Sequence, residues 1–199
     1  MCIRDSRWER DRPEERTTLA EFGVRVRAGR NQHARPVAFS DGARRVAFVT
    51  ADGELRAHDL ATNTPIDLPP LPGGVVAAAF AWDSGGERLV AAQPASISTW
   101  SEGRGWIVRP IETQAAAHVR APTRLVELCV VPGADRAICL ARDGSDTWLV
   151  SVDLSSGRVV STHEHDEVPL TLAVSSDGRR VAVGYLFRSV RLLDPETLE

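Results

Sequence analysis

The sequence predicts an all-β chain, and three observations carry that reading. A unit of about 45 residues recurs; Gly, Pro, Asp and Ser interrupt the chain at roughly 8- to 12-residue intervals; and no stretch sustains the 3.6-residue period of an amphipathic helix. Each unit is an apolar run, a small polar turn, an Arg and a second apolar run. The first joins Val37-Ala38-Phe39-Ser40-Asp41-Gly42 to Arg45-Val46-Ala47-Phe48-Val49, and the second joins Ala79-Phe80-Ala81-Trp82-Asp83-Ser84-Gly85-Gly86 to Arg88-Leu89-Val90-Ala91. The third joins Cys129-Val130-Val131-Pro132-Gly133-Ala134-Asp135 to Arg136-Ala137-Ile138-Cys139-Leu140, and the fourth joins Ala173-Val174-Ser175-Ser176-Asp177-Gly178 to Arg180-Val181-Ala182-Val183. The marker Arg at 45, 88, 136 and 180 is therefore spaced by 43, 48 and 44 residues.

A second marker closes the strand that follows. Asp59, Trp100, Asp153 and Asp194 lie 14, 12, 17 and 14 residues after the Arg of their unit, each at the end of an apolar or alternating run. Every unit thus predicts three short strands joined by tight turns. Fourth strands follow at Pro65–Leu68, Trp106–Ile111 and Arg158–Thr162, where β-branched and aromatic residues suit an extended backbone. The Asp-Gly pairs at Asp41-Gly42, Asp52-Gly53, Asp143-Gly144 and Asp177-Gly178 are expected to supply the positive φ of two-residue hairpins, those at Asp52 and Asp143 joining second to third strands.

The second strands, such as Val46–Val49 and Val181–Val183, are apolar on successive residues and so need cover on both faces. Sheets sandwiched between their neighbours provide it, and abundant Ala allows close approach near an axis. The predicted fold is a partial β-propeller of four-stranded antiparallel blades.

The Ser-Asp-Gly-x-Arg-Arg-apolar turn at Ser40–Val46, repeated one residue shorter at Ser176–Val181, and the Asp-Gly-Glu-Leu-Arg-Ala-His-Asp-Leu run at Asp52–Leu60 resemble bacterial WD40 repeat proteins over residues 35–199. The Trp that precedes Asp in that family is replaced by His58, Val152 and Leu193, while Trp100 is followed by Ser101; the family's Gly-His pair has only loose counterparts in His33, His118, His163 or His165. Asp143–Gly157 is similar, less specifically, to periplasmic and quinoprotein-type propellers. The resemblance implies blades over residues 35–70, 71–112, 123–164 and 167–199, the last incomplete, with residues 7–34 as a linker and the remnant of a preceding blade that contributes Trp8 and the strand Thr17–Phe22. The alternative is a closed four-blade ring in which Thr17–Phe22 completes the last sheet. Residues 1–6, MCIRDS, resemble the translation of a sequencing adapter and are set aside with Cys2. The expectation is then a chain that begins inside a longer protein and stops inside a repeat at Asp194–Glu199.

Composition narrows function further. The chain has 24 Arg, no Lys, 27 acidic residues and a net charge of −3, with the Args interleaved among Asp and Glu, as GC-rich coding produces. That balance argues against a nucleic-acid partner. No apolar run reaches the roughly 18 residues of a membrane-spanning helix. Cys2, Cys129 and Cys139 make an odd set without metal-type spacing, so no disulfide framework is expected. Cys129 and Cys139, on neighbouring strands and able to face each other, are read as buried free thiols, which favours the cytoplasm.

The one dense group of ligand-type residues is His163-Glu164-His165-Asp166-Glu167. On a strand His163 and His165 would share a face and reach one metal ion, but the group falls between two repeats, where a structural or solvated role is expected and no metal site is assigned. No Gly-x-Ser-x-Gly elbow or phosphate-binding glycine loop is present, and Trp82, Trp106 and Trp148 read as blade core rather than a stacking surface. No catalytic residue and no cofactor are expected. The reading is a non-catalytic interaction scaffold, part of a larger bacterial signalling or regulatory protein, that binds a protein or peptide on the ring face through loops such as 51–53 and 142–146. The alternative is a fragment of a periplasmic propeller enzyme or binding protein of the quinoprotein or TolB type, which an upstream signal peptide would reveal.

Blades that do not close leave sheet faces and edges bare at each end. The isolated chain is expected to aggregate or to unfold without cooperativity; a sharp thermal transition from a soluble monomer, seen by calorimetry, would count decisively against an open arc.

Overall fold

The structure, a computed structural model, describes residues 37–49, 54–71, 79–83, 87–93, 95–112, 124–186 and 189–199. Expectations about residues 1–34, Asp52, Gly53 and His118 lie outside the described residues. Within them the chain forms four antiparallel sheets in sequence order, arranged like the blades of a propeller. Blade 1 holds β1 (Val37–Phe39), β2 (Arg45–Val49), β3 (Leu55–Asp59) and β4 (Thr64–Ile66). Blade 2 holds β5 (Ala79–Trp82), β6 (Arg88–Gln93), β7 (Ser96–Ser101) and β8 (Gly105–Pro110). Blade 3 holds β9 (Arg124–Val130), β10 (Arg136–Asp143), β11 (Asp146–Asp153) and β12 (Val159–Glu164). Blade 4 holds three strands, β13 (Pro169–Val174), β14 (Val181–Tyr185) and β15 (Val190–Leu193). Among the described residues no helix is long and apolar enough to cross a membrane.

The first strands of successive blades, β1 with β5, β5 with β9 and β9 with β13, lie side by side and mark the inner edge of the arc. Period-2 alternation then sends neighbouring residues of one strand into different interfaces. On β6, Leu89 and Ala91 pack with Ala47, Leu55, Ala57 and Trp82 between blades 1 and 2. Their neighbours Val90 and Ala92 pack with Leu125, Leu128, Cys139 and Val150 between blades 2 and 3. On β10, Ile138 and Leu140 pack with Leu172, Val181, Val183 and Leu193 between blades 3 and 4. This is why the second strands are apolar throughout. Each fully buried aliphatic side chain contributes about 1.5–3 kcal/mol, so the interfaces dominate stability. Among the described residues there are three such clusters for four blades, and none joins blade 4 to blade 1.

Two expectations about turns are corrected. Among the described Asp-Gly pairs, only Asp143-Gly144 opens a two-residue hairpin, with Asp143 paired to Asp146 and Gly144 at φ +59°. Asp41-Gly42 and Asp177-Gly178 lie in longer loops between first and second strands. Those loops close through a serine: Ser40 donates its backbone N–H to the Arg45 carbonyl while its hydroxyl accepts from Arg45 N–H at 2.9 Å, and Ser175 does the same with Arg180 at 3.0 Å. In blade 2 the Asp83 carboxylate substitutes, accepting from the N–H groups of Glu87 and Arg88. Side-chain closure tolerates a longer loop than backbone bonding alone. Gly42 and Gly178, at φ +67° and +70°, keep their left-handed role in these loops.

A second pair of corrections concerns blade 3. Cys129 pairs with Ile138 and Cys139 with Leu128, so adjacent residues of the ladder carry the thiols to opposite faces; they belong to different interfaces and do not face each other. The fourth strand runs over Val159–Glu164, which places His163 and Glu164 on the strand itself and not in a loop.

Glycine is required where blades touch closely. Gly157, at φ +80°, lies so near the carbonyl oxygen of Pro110 on blade 2 that a Cβ there collides with it. The same approach lets Glu112 N–H bond the Gly157 carbonyl at 3.1 Å while Val159 N–H bonds the Glu112 carbonyl at 3.1 Å. Gly144, by contrast, has open space where a Cβ would lie. Gly157→Ala is expected to cost more than about 2 kcal/mol and Gly144→Ala about 1 kcal/mol, because the second carries only the left-handed penalty. Urea midpoints of the two variants check this; equal losses would show that the blade 2–3 approach is not constrained at Gly157.

Candidate functional site

Antiparallel order divides the blades into two ends. The turns between first and second strands and between third and fourth strands share one end, which carries the marker residues. The turns between second and third strands and the links between blades share the other.

At the marker end the recurrent Asp shapes the turn after the third strand. Asp59 Oδ1 accepts from the N–H groups of Ala61 and Thr62 at 2.9 and 3.2 Å, and Asp153 Oδ1 from those of Ser155 and Ser156 at 3.1 and 2.8 Å. Asp194 Oδ1 accepts from Glu196 and Thr197 at 2.7 and 3.3 Å. These are Asx turns, which is the physical reason for Asp at this position. The hydroxyls of Ser155 and Ser156 hold the Asp153 carboxyl at about 2. Burial opposes ionisation of Asp59, but the N–H groups of Thr62 and Ala61 with Arg44 and Arg45 outweigh it and keep its carboxyl below the usual range. At Asp177, the Ser175 hydroxyl has the same lowering effect. Trp100 makes no such turn; its ring meets that of Trp82 edge-on, with centroids 6.3 Å apart.

The marker Arg reaches across blade interfaces, a role its periodicity alone does not disclose. Arg45 lies 3.6 Å from Glu102 and 5.8 Å over the Trp82 ring, both on blade 2. Arg88 pairs with Asp135 on blade 3, and Arg136 donates to the Pro195 carbonyl on blade 4 at 3.4 Å. Arg180, the fourth marker, is exposed and has no side-chain partner among the described residues. Partly exposed pairs of this kind are worth up to about 1 kcal/mol each, so they orient blades more than they bind them.

The opposite end carries a cleft of about 370 Å³ between the end of blade 3 and the segment that links it to blade 4. Its walls are the β10–β11 hairpin, with Ser145 and Asp146, and the segment leaving β12, with Glu164, His165, Asp166 and Glu167; Trp148 lies at its base. His163 and His165 come together as their spacing predicts, with ring centroids 4.4 Å apart. His165 Nδ1 lies 2.7 Å from the Tyr185 hydroxyl, and Glu167 accepts from Ser189 at 2.8 Å and from Arg191 at 3.3 Å. Arg191 lies 5.1 Å over the Tyr185 ring. Burial, then His163 and Arg191, depress the His165 imidazole to about 4 against a partial opposing pull from Asp166, and burial raises the Tyr185 hydroxyl. The group is therefore a neutral imidazole in a network that ties the blade 3–4 link to β14 and β15. Among the described residues no three His, Cys, Asp or Glu side chains are grouped to hold a metal ion.

The remaining candidates separate. Trp82 and Trp148 are buried in different interfaces, and Trp106 is half-buried with its indole N–H donating to the Pro69 carbonyl at 2.8 Å, so the three form no common stacking surface. Burial pushes the Cys139 thiol up to about 12. The Glu127–Thr171 bond of 3.1 Å, which joins the inner strands of blades 3 and 4, has no counterpart in the sequence pattern because each partner comes from a different repeat. No protein-family model matches the chain, and no curated protein matches its sequence.

Because the folded protein refuses the His165 proton until about pH 4 and the unfolded chain accepts it near 6.5, stability from this group is full above about pH 6.5 and declines as the pH falls to about 4. Urea midpoints at pH 7, 5.5 and 4.5 are expected to fall in the parent and to change less in His165→Asn. Parallel pH profiles for the two proteins would assign the slope to other groups.

Proposed function

We propose that the chain is part of a WD40-type bacterial β-propeller acting as a non-catalytic interaction scaffold, taking a protein or peptide at the blade end that carries the blade 3–4 cleft. The observation that supports this is the cleft itself, built on one side by the Arg142–Asp146 hairpin and set opposite the end where the marker residues hold the turns and blades. Two of its ionisable side chains serve the fold: His165 is engaged with Tyr185, and Glu167 with Ser189 and Arg191. A rigid frame with short loops at its rim is the arrangement by which scaffolds present recognition surfaces. Asp146, Glu164 and Asp166 at the rim favour a basic segment as the partner. The Ser-Asp-Gly-x-Arg-Arg turn and the Asp-closed third strands support the WD40 reading, and the buried Cys139 thiol, outside any disulfide, supports a reducing, cytoplasmic setting.

A phage-displayed random peptide library panned on the protein is expected to enrich basic peptides. Binding of the enriched peptides should weaken at least tenfold in Asp146→Arg and Asp166→Arg, while Arg104→Ala, in the turn at the marker end, leaves it unchanged. Enrichment no better than on an unrelated β-sheet protein, or equal loss in Arg104→Ala, would overturn the proposal.

A further inference from the structure

Residues 165–168, which join β12 to β13, belong to no strand, yet they form one wall of the cleft. With no ladder to hold them, their position depends on contacts with blade 4. His165 Nδ1 lies 2.7 Å from the Tyr185 hydroxyl, Glu167 accepts from Ser189 at 2.8 Å and from Arg191 at 3.3 Å, and the Val168 carbonyl accepts from Leu186 N–H at 3.0 Å. A segment tied by a few side-chain bonds and a single backbone bond opens more readily than a strand paired on both sides.

Protonation disturbs the His165 contact directly. A neutral imidazole can accept from the Tyr185 hydroxyl, whereas an imidazolium only donates. Tyr185 is buried and meets the His165 ring edge-on, with centroids 5.1 Å apart. Charged and titratable groups reach His165 from each element around it. The ring of His163, on β12, stands 4.4 Å away, and Arg191 of β15 lies 5.1 Å over the Tyr185 ring of β14. Glu167, whose carboxylate could offset a proton, is already bonded to Arg191 and Ser189. Glu164 and Asp166, beside His165 in the chain, are exposed, so water screens them, and Asp146 stands on the opposite wall of the cleft. Burial, then His163 and Arg191, therefore outweigh the pull of Asp166 and hold the docked imidazole at about 4, against 6.5 in water.

We propose that residues 165–168 are an acid-sensitive latch: docked on blade 4 while His165 is neutral, and released together with the cleft wall when His165 takes up a proton. Release gives the imidazolium the water and the cleft carboxylates that the docked position denies it. Protons favour the released form because its imidazole binds them more tightly. Below pH 6.5 that form gains about tenfold in population for each pH unit, until the docked ring itself protonates near 4. The latch does not depend on the scaffold reading; only the consequence that a basic partner is let go in acid rests on it.

Hydrogen exchange of the Leu186 amide, whose partner is the Val168 carbonyl, reads the latch without any ligand. Measured on the whole chain by NMR and corrected for intrinsic exchange, it is expected at pH 7 to show an opening at least about a hundredfold more populated than that of the Ile138 and Leu140 amides in β10, a strand paired on both sides. From pH 7 to pH 5 that population should rise about tenfold or more, and in His165→Asn it should change less than about twofold. Tyr185→Phe, which keeps the ring and removes the hydroxyl, should raise it about fivefold or more at pH 7 already. A Leu186 amide as protected as those of β10, an opening indifferent to pH, a pH response that persists in His165→Asn, or a Tyr185→Phe variant that opens no more than the parent would each overturn the latch. Absence of peptide binding would remove the scaffold reading and leave this test unchanged.

Discussion

Everything in this protein follows from the fact that each sheet is apolar on both faces. A two-sided strand such as Arg136–Asp143 sends Ile138 and Leu140 one way and Ala137, Cys139 and Ala141 the other, so no blade satisfies its own burial. Stability is consequently a property of interfaces between blades. The close approaches at Gly157 and Gly178, each set against a backbone carbonyl of the preceding blade, are the geometric cost of bringing wedge-shaped sheets together.

Polar chemistry is arranged around that constraint. At the marker end, Asp59, Asp153 and Asp194 replace missing backbone partners in the turns, Ser40 and Ser175 close the loops before the second strands, and the marker Args reach from one blade to the next. None of these contacts contributes much free energy alone. Their repetition sets the relation of blade to blade, and the opposite end is left free of that duty. There the chain carries its cleft, with His163, His165, Tyr185, Glu167 and Arg191 holding the link between blades 3 and 4 in one arrangement.

The repeat and the strand order were legible because they are local: alternation, Gly and Asp in turns, and a fixed spacing of Arg. The two histidines were legible as neighbours for the same reason, since residues two apart on a strand share a face. Turn length was less legible, because whether Asp-Gly forms the whole turn or part of a longer loop depends on a side-chain bond from Ser40 or Ser175 that lies outside the pair. The relation between Cys129 and Cys139 depended on the ladder register, which one residue of slip inverts.

By itself, then, the sequence determined an all-β chain of repeated antiparallel units, since burial on both faces is encoded within each repeat. Only the tertiary structure decided what the markers do and where the cleft lies. Arg45, Arg88 and Arg136 find their partners 57, 47 and 59 residues along the chain, and Glu127 finds Thr171 across 44. Contacts between repeats depend on how neighbouring sheets are set against each other, and no single repeat contains that information.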